Sequence, residues 1–221
     1  MSELRDISVT VAAGTPEWPG DTPYSCGWSW EIARGESVNV SAITMSPHVG
    51  THADAPLHVR DGWPDSAALD VDAFIGEAFV VDATGLTTID ERVLGGALAA
   101  GATRVLIRTG ASITEGAFPA RWPVIADGAA ERLVAVGVRL VGVDAPSMDG
   151  RESKSLPVHH ILLGAGVAVV ENLDLRGIDP GRWELVALPM RIAGLDAAPV
   201  RALLRRRAGP GGAGSRRAGD R

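Results

Sequence analysis

The segment "SPHVGTHADAPLH" (residues 46–58) carries four side chains of the types that bind metal ions, namely His48, His52, Asp54 and His58. The four positions have the same parity, so in an extended chain all four side chains project to one side. A straight strand would spread them over about 33 Å at ~3.3 Å per residue, so one site requires bends. Gly50 and Pro56 stand where bends would bring the side chains together, and Pro56 also argues against a continuous helix.

Imidazole nitrogens and a carboxylate are ligands that suit zinc, manganese or iron, and a catalytic site leaves one coordination position open for water. The spacing His-x3-His-x-Asp supplies three ligands, and the two oxygens of Asp54 could bridge two ions. Alternatively, the four residues are separate surface or hydrogen-bonded groups, as single histidines usually are. Their matched parity within eleven positions, in a chain with only five histidines, favours a metal site.

The other two histidines, His159 and His160, open the stretch "HHILLGAGVAVVEN" (159–172). His159 stands at the start of a predicted short helix, and Glu171 stands at the end of the strand that follows. A helix–turn–strand unit folds back on itself, so its two polar ends could meet at one place. A buried His–Glu pair would explain this arrangement equally well on its own. Together with the first cluster, the pair supplies the ligands that a second ion needs.

Seven short segments rich in valine, isoleucine and leucine are predicted strands: 6–11, 38–45, 78–83, 104–109, 139–145, 167–172 and 183–189. Three segments with helical spacing of apolar residues and a glycine near the end are predicted helices: 90–101, 128–137 and 159–166. Several strands are apolar on both faces, which indicates a sheet covered on both sides. The alternation predicts a single α/β domain with a mixed sheet over residues 1–207. Residues 208–221 are predicted to be a disordered tail, because they bury too little apolar surface.

Composition excludes several classes of function. Apolar residues make up 46% of the 221 residues and charged residues 22%, as in an ordinary globular protein with a core. The net charge of −6 argues against nucleic-acid binding, and the single cysteine, Cys26, permits no intrachain disulfide. No signal peptide and no membrane-spanning stretch is found, so we expect a cytoplasmic protein without a membrane partner. Serine-hydrolase elbows, phosphate-binding loops and dinucleotide fingerprints are also missing.

The histidine segment carries a family resemblance. "HVGTHADAPLH" is similar to the His-x-Gly-Thr-His-x-Asp-x-Pro-x-His signature of the cyclase-like metal-dependent hydrolases. "WPGDTP", "VDAPSMDGRESKSLPVHH…VVEN" and "ELVALPMRIAGLDAAPVRALL" also match that family, so the likeness runs from about residue 5 to 205. Within the family the chain most resembles the bacterial kynurenine formamidases (arylformamidases), on Trp18 in "TPEWPGDTP" and on the "ESK" before the histidine pair.

The resemblance implies a swivelling β/β/α fold, with a mixed, barrel-like central sheet flanked by helices, and a homodimer. It implies two divalent ions, zinc or alternatively manganese. The implied ligands of one ion are His48, His52 and Asp54. Asp54 would bridge to a second ion held by Glu171 and by His159, which unlike His160 falls at the family's ligand spacing. His58 is implied as the general acid/base and Trp18 as part of the substrate pocket.

The implied activity is hydrolysis of a small aromatic amide: N-formyl-L-kynurenine and water give L-kynurenine and formate, a step of tryptophan degradation. One alternative is a related hydrolase that opens a cyclic amide such as isatin, because "LPVHHILLGAGVAVVEN" also fits the general pattern of the family. Another alternative is a metal- or ligand-binding protein without catalysis. His58 counts against the latter, since a pure binding site needs no extra base beside its ligands.

Overall fold

Nine strands form one mixed sheet in the computed structural model, which describes residues 3–206. Three α-helices cover one face of this sheet. The helices are α1 (Glu91–Ala99), α2 (Asp127–Ala135) and α3 (Pro157–Gly164). The strands are β1 (Leu4–Asp6), β2 (Ser25–Trp30), β3 (Val40–Thr44), β4 (His52–Asp54), β5 (Ile75–Asp82), β6 (Thr88–Ile89), β7 (Arg104–Arg108), β8 (Val124–Ile125), β9 (Leu140–Val143), β10 (Ala168–Glu171), β11 (Gly181–Val186), β12 (Ala197–Pro199) and β13 (Leu203–Arg205).

The sheet has the strand order β1-β13-β11-β5-β7-β9-β10-β4-β12 and curls into a half-barrel. Its centre is parallel, from β5 through β7 and β9 to β10, and the strands on both sides pair antiparallel. Val105 and Ile107 of β7 pack against the helices, whereas Leu106 points into a second core on the opposite face. The predicted single α/β domain, with a mixed, barrel-like sheet covered on both faces, is confirmed.

Six of the seven predicted strands and all three predicted helices are confirmed, with ends shifted by up to three residues. The predicted strand 6–11 is wrong, because β1 ends at Asp6. There the Asp6 carboxylate accepts a hydrogen bond from the Ser8 amide at 3.1 Å and turns the chain. The Val9 amide then donates to the Thr51 hydroxyl at 2.8 Å instead of to a neighbouring strand. This contact ties the segment to the chain just before β4.

β2 and β3 form a separate two-stranded hairpin whose residues are all exposed. Only β3 was expected from the sequence. Trp28 and Trp30 are 57% and 55% exposed, and Ile43 on the facing strand is exposed to a similar degree. The hairpin therefore leaves a large apolar surface uncovered within the described chain.

Among residues 3–206, none of the helices has the length and apolar character needed to cross a bilayer. The predicted cytoplasmic location is not tested by this finding and stays a prediction. The predicted tail, residues 208–221, lies outside the described residues, and the predicted domain boundary at residue 207 likewise stays a prediction.

Candidate metal centre and substrate pocket

The short strand β4 holds the first group of site residues in the sheet. It lies between β10 and β12 and pairs antiparallel with both. His52 stands directly opposite Glu171 of β10 in this register. Because side chains alternate along a strand, His52 and Asp54 project to the same face, and directly opposite residues share a face. The register alone therefore brings His52, Asp54 and Glu171 together.

Bends on both sides of β4 add the remaining histidines of the segment. Gly50 has a positive φ of 74°, and a Cβ placed on it would lie 2.5 Å from Cγ2 of Val11. Only glycine suits such a conformation and such a close approach. Pro56 begins a short 3-10 helix, Pro56–His58, which turns the imidazole of His58 back towards that of His48, with ring centroids 4.5 Å apart. The two predicted bends are present.

The carboxylate of Asp54 occupies the middle of the cluster and is completely buried. Its Oδ1 lies 3.2 Å from Nδ1 of His48 and 3.4 Å from Nε2 of His52. Its Oδ2 lies on the other side, 3.4 Å from Nε2 of His159. Two imidazoles thus face one oxygen of the carboxylate, and a third imidazole faces the other oxygen.

Glu171 and His159 meet on the Oδ2 side, as the sequence predicted for the two ends of a helix–turn–strand unit. Oε1 of Glu171 lies 3.1 Å from Nε2 of His159, and Oε2 lies 3.7 Å from Nε2 of His52. The amide of Met148 donates to Oε1 at 2.8 Å and fixes the glutamate. The neighbouring His160 is exposed on the outer side of α3.

Asp149 orients His159 and is a site residue to which the sequence assigned no role. Its carboxylate accepts hydrogen bonds from the amides of Val158 and His159, both at 3.1 Å, and so caps the first turn of α3. It also lies 2.6 Å from Nδ1 of His159. With Nδ1–H donating to Asp149, the lone pair of Nε2 points at Asp54 and Glu171. A carboxylate in this position is the usual outer partner of a metal-binding histidine.

The buried polar atoms test whether this cluster suits a cation. Nε2 of His52 and both carboxylate oxygens of Asp54 are buried without a hydrogen-bond partner in the described structure. Such atoms cost about 1–3 kcal/mol each when nothing satisfies them. Nδ1 of His52 lies 2.9 Å from the carbonyl of Gly50, which leaves Nε2 as the acceptor. Two groups of imidazole and carboxylate donors, His48–Asp54–His58 and His52–Asp54–Glu171, each bring their ligand atoms within 4.8 Å of one another. The residues therefore fit a divalent metal.

The electrostatics of the cluster also favour a cation. Burial favours the neutral form of Asp54, but the imidazoles of His159, His48 and His52 outweigh it and hold the pKa of Asp54 well below its usual range. Burial lowers the pKa of His48, yet Asp196 and Asp54 overcome this effect and raise it to about 10. The pKa of His159 is likewise raised, against burial, by Asp149, Asp54 and Glu171. The carboxylates thus stabilise positive charge at this site, either as protons on the imidazoles or as a bound cation.

Asp196 is the second site residue without an assigned role, although it lies within the quoted stretch "ELVALPMRIAGLDAAPVRALL". It directly precedes β12, and its carbonyl accepts a hydrogen bond from the Ala55 amide at 2.8 Å. Its Oδ2 lies 3.0 Å from Nε2 of His48 and 3.1 Å from Nδ1 of His58. These two imidazoles hold the pKa of Asp196 well below its usual range. One carboxylate therefore orients both histidines.

The cluster forms the floor of a cavity of about 790 Å³. Trp18 lies on the wall of this cavity and is 38% exposed. Its indole meets Phe118 and Trp122 edge to face, with centroids 5.3 and 6.0 Å apart. The loop of Trp18 is anchored to the histidine segment by a 3.0 Å hydrogen bond from the Ser46 amide to the Thr22 carbonyl. Six of the seven predicted site residues therefore line one cavity, and the seventh, Asp54, lies buried among the imidazoles at its floor.

Known proteins are similar to this chain in sequence and in fold. The model of the Cyclase family matches residues 5–150. A kynurenine formamidase of Bordetella avium (strain 197N) is 41% identical over 209 residues, which cover 93% of this chain and 99% of that protein.

Solved structures of other proteins have a similar fold. One described as a "Potential Metal-Dependent Hydrolase With Cyclase Activity" is 29% identical with a TM-score of 0.79, and the match covers 94% of this chain and 100% of the other. Isatin hydrolase A of Ralstonia solanacearum has a TM-score of 0.77 over 92% of both chains, but at 21% identity it shows the fold alone. The family match spans most of the chain, and the formamidase relative spans nearly all of it. This chain belongs to the Cyclase family.

Proposed function

We propose that the protein is a metal-dependent amide hydrolase that converts N-formyl-L-kynurenine and water into L-kynurenine and formate. The observation that carries this proposal is the buried Asp54 carboxylate, which is flanked on both sides by imidazoles that line a cavity with an aromatic wall. The similarity to the formamidase of Bordetella avium, over nearly the whole of both chains, supports the choice of substrate.

His48, His52 and Asp54 would hold one divalent ion, and Asp54, His159 and Glu171 would hold a second. Zinc suits this set of nitrogen and oxygen donors, with manganese as the alternative. Bound ions of this kind polarise a carbonyl oxygen and lower the pKa of a bound water molecule to ~7.

His58 would transfer the protons of the reaction. Its Nδ1 faces Asp196, so with Nδ1–H donating to that carboxylate its Nε2 is free to accept a proton. The imidazole takes a proton from the attacking water as the new C–O bond forms at the formyl carbon. It then delivers that proton to the aniline nitrogen as the C–N bond breaks. Asp196 holds the ring in one tautomer and stabilises the transient imidazolium, a role that carboxylates beside catalytic histidines commonly have.

The aromatic wall would position the ring of the substrate. Trp18 stands between Pro16 and Pro19, whose fixed φ angles stiffen the loop. An aromatic pair of this type contributes ~0.5–1.5 kcal/mol beyond the burial of its surface. The indole and the ring of Phe118 therefore favour an aryl amide over an aliphatic one.

Metal analysis combined with parallel assays tests this proposal. The purified protein is stripped of ions, reloaded with zinc or manganese, and supplied with N-formyl-L-kynurenine or with isatin. We expect about two ions per chain and efficient release of formate from formylkynurenine. Faster opening of isatin would favour the related hydrolase, and tight ligand binding without turnover would favour a protein without catalysis.

We further propose that the β2–β3 hairpin packs against a second copy of the chain in a homodimer. Isolated two-stranded ribbons are only marginally stable, and monomers rarely expose large apolar patches. A two-fold symmetric contact covers the same patch on both copies at once. Light scattering during gel filtration should show a dimer that Trp28→Asp dissociates and that Leu86→Asp, an exposed site outside the hairpin, leaves intact. A wild-type monomer would contradict this assembly.

A further inference from the structure

Two cationic side chains, Arg151 and Lys154, line the same cavity as the metal centre. Both lie in the loop that joins β9 to α3, the loop that also carries Asp149. Lys154 is the only lysine in the whole chain. Within residues 3–206, neither Arg151 nor Lys154 forms an ion pair with a carboxylate, whereas ten other arginines do. The two positive charges are thus left without an anionic partner inside the described protein.

The position of Arg151 relates these charges to the aromatic wall. Its guanidinium carbon lies 5.5 Å from the ring centroid of Phe118, which in turn contacts Trp18. Contact with an aromatic face restrains a guanidinium while its N–H donors stay free for another partner. A ligand whose ring packs against this wall would therefore present its next substituent to Arg151.

The cavity consequently has two chemically different parts. Its floor holds the carboxylates and imidazoles around Asp54, and the loop before α3 contributes free cations. The proposed substrate has groups in a matching order. Its formamide nitrogen is attached to an aryl ring, and that ring carries a short chain which ends in an α-carboxylate.

We propose, on the basis of the proposed function, that Arg151 and Lys154 bind the α-carboxylate of the substrate. They would thereby select substrates that carry an amino-acid group. The planar guanidinium can donate two parallel hydrogen bonds to a carboxylate, and the ammonium adds a point charge. Isatin has no such carboxylate. These two cations would therefore separate formylkynurenine from neutral aryl amides and from cyclic amides, while the metal centre serves them all.

The test compares two substrates in zinc-loaded protein: N-formyl-L-kynurenine and 2-formamidoacetophenone, which keeps the formanilide and the ketone but lacks the amino-acid group. The variants are Arg151→Gln, Lys154→Gln and the double variant. Arg151→Lys keeps the charge, and Arg132→Gln removes an exposed positive charge on α2, away from the cavity. For the double variant we expect kcat/KM for formylkynurenine to fall about 10- to 100-fold, mainly through KM. For the neutral amide we expect a change of less than about twofold.

Equal losses for both substrates would overturn the assignment, because they would mean that the loop only shapes the pocket. An unchanged KM for formylkynurenine in the double variant would overturn it as well. Wild-type protein that hydrolyses neither compound would contradict the proposed function instead. In that case calorimetric binding of L-kynurenine and of 2-aminoacetophenone still decides: tighter binding of the carboxylate compound, lost in the double variant, supports the assignment, and equal binding overturns it.

Discussion

Replacing His58 with alanine separates a histidine that transfers protons from one that binds an ion. The imidazole borders the cavity, has Asp196 as its polar partner and is 27% exposed. It also lies near enough to His48 and Asp54 for the three residues to form one ligand group. We expect His58→Ala to keep both ions and to lose turnover, because the other predicted ligands already surround the Asp54 carboxylate without it.

The size of the effect follows from the role. A well-placed general acid/base contributes ~10²–10⁴-fold to the rate. We therefore expect kcat to fall by this factor, which corresponds to about 3–5 kcal/mol of activation free energy. The free energy of unfolding should change much less, since a partly exposed side chain with one polar partner contributes about 0.5–1.5 kcal/mol. Loss of a metal ligand would instead lower both the ion content and the thermal stability of the loaded protein.

The assay measures metal per chain after dialysis, formate release and the pH profile of kcat. His160→Ala serves as the matched control, because this histidine is adjacent to His159 but exposed outside the cavity. Loss of one ion per chain in His58→Ala, with the control unchanged, would make His58 a ligand and refute its role as a base. Full ion content with wild-type turnover would refute any role in the reaction.

Three further perturbations test the centre. Asp54→Ala should remove both ions and all activity, because this carboxylate faces imidazoles on both sides. Retention of either ion in metal analysis would contradict the proposal that Asp54 binds both. Asp149→Asn should weaken zinc affinity about 10- to 100-fold by releasing His159, with partial recovery of activity in excess zinc, and unchanged affinity in a chelator competition would contradict it. The pKa of His48, raised to about 10, means that a cation must displace its proton near neutral pH. Zinc affinity should therefore rise about tenfold per pH unit between about pH 6 and 8 and fall as the pH falls, whereas a flat profile would exclude this competition.

Local chemistry made part of the site predictable. The parity of the histidine segment and its two bending residues depend only on near neighbours, so the convergence of His48, His52, Asp54 and His58 could be anticipated. The helix–turn–strand unit of His159 and Glu171 is also local. The contact of this unit with Asp54 depends on the antiparallel pairing of β4 with β10. That pairing could not be predicted, because a strand of three residues is too short to show a periodic pattern.

Long-range register explains what the sequence left out. Asp196 reaches His48 and His58 only because β12 pairs with β4 across a separation of more than a hundred residues. Asp149 follows a strand end, where a turn explains an aspartate as well as a site does. The strand predicted at 6–11 failed for the opposite reason: its apolar pattern is real, but the Asp6 turn and the hydroxyl of Thr51 divert its backbone.

Two independent features of the centre share one physical cause. The unpaired atoms of His52 and Asp54 show that hydrogen bonds within the protein do not satisfy the cluster. The raised pKa of His48 and the lowered pKa of Asp54 show that its carboxylates require more positive charge than neutral imidazoles provide. Protons and divalent cations are the two ways to supply that charge, but only cations would also satisfy atoms that lack hydrogen-bond geometry.

The metal centre lies where the pairing of the sheet changes from parallel to antiparallel, at β10 and β4. The centre is therefore buried on one side and open to the cavity on the other. Substrate choice can then change through the cavity wall while the chemistry of the centre stays the same, because His52, Asp54 and Glu171 stand on strands of the sheet, whereas Trp18, Phe118 and Arg151 stand on loops.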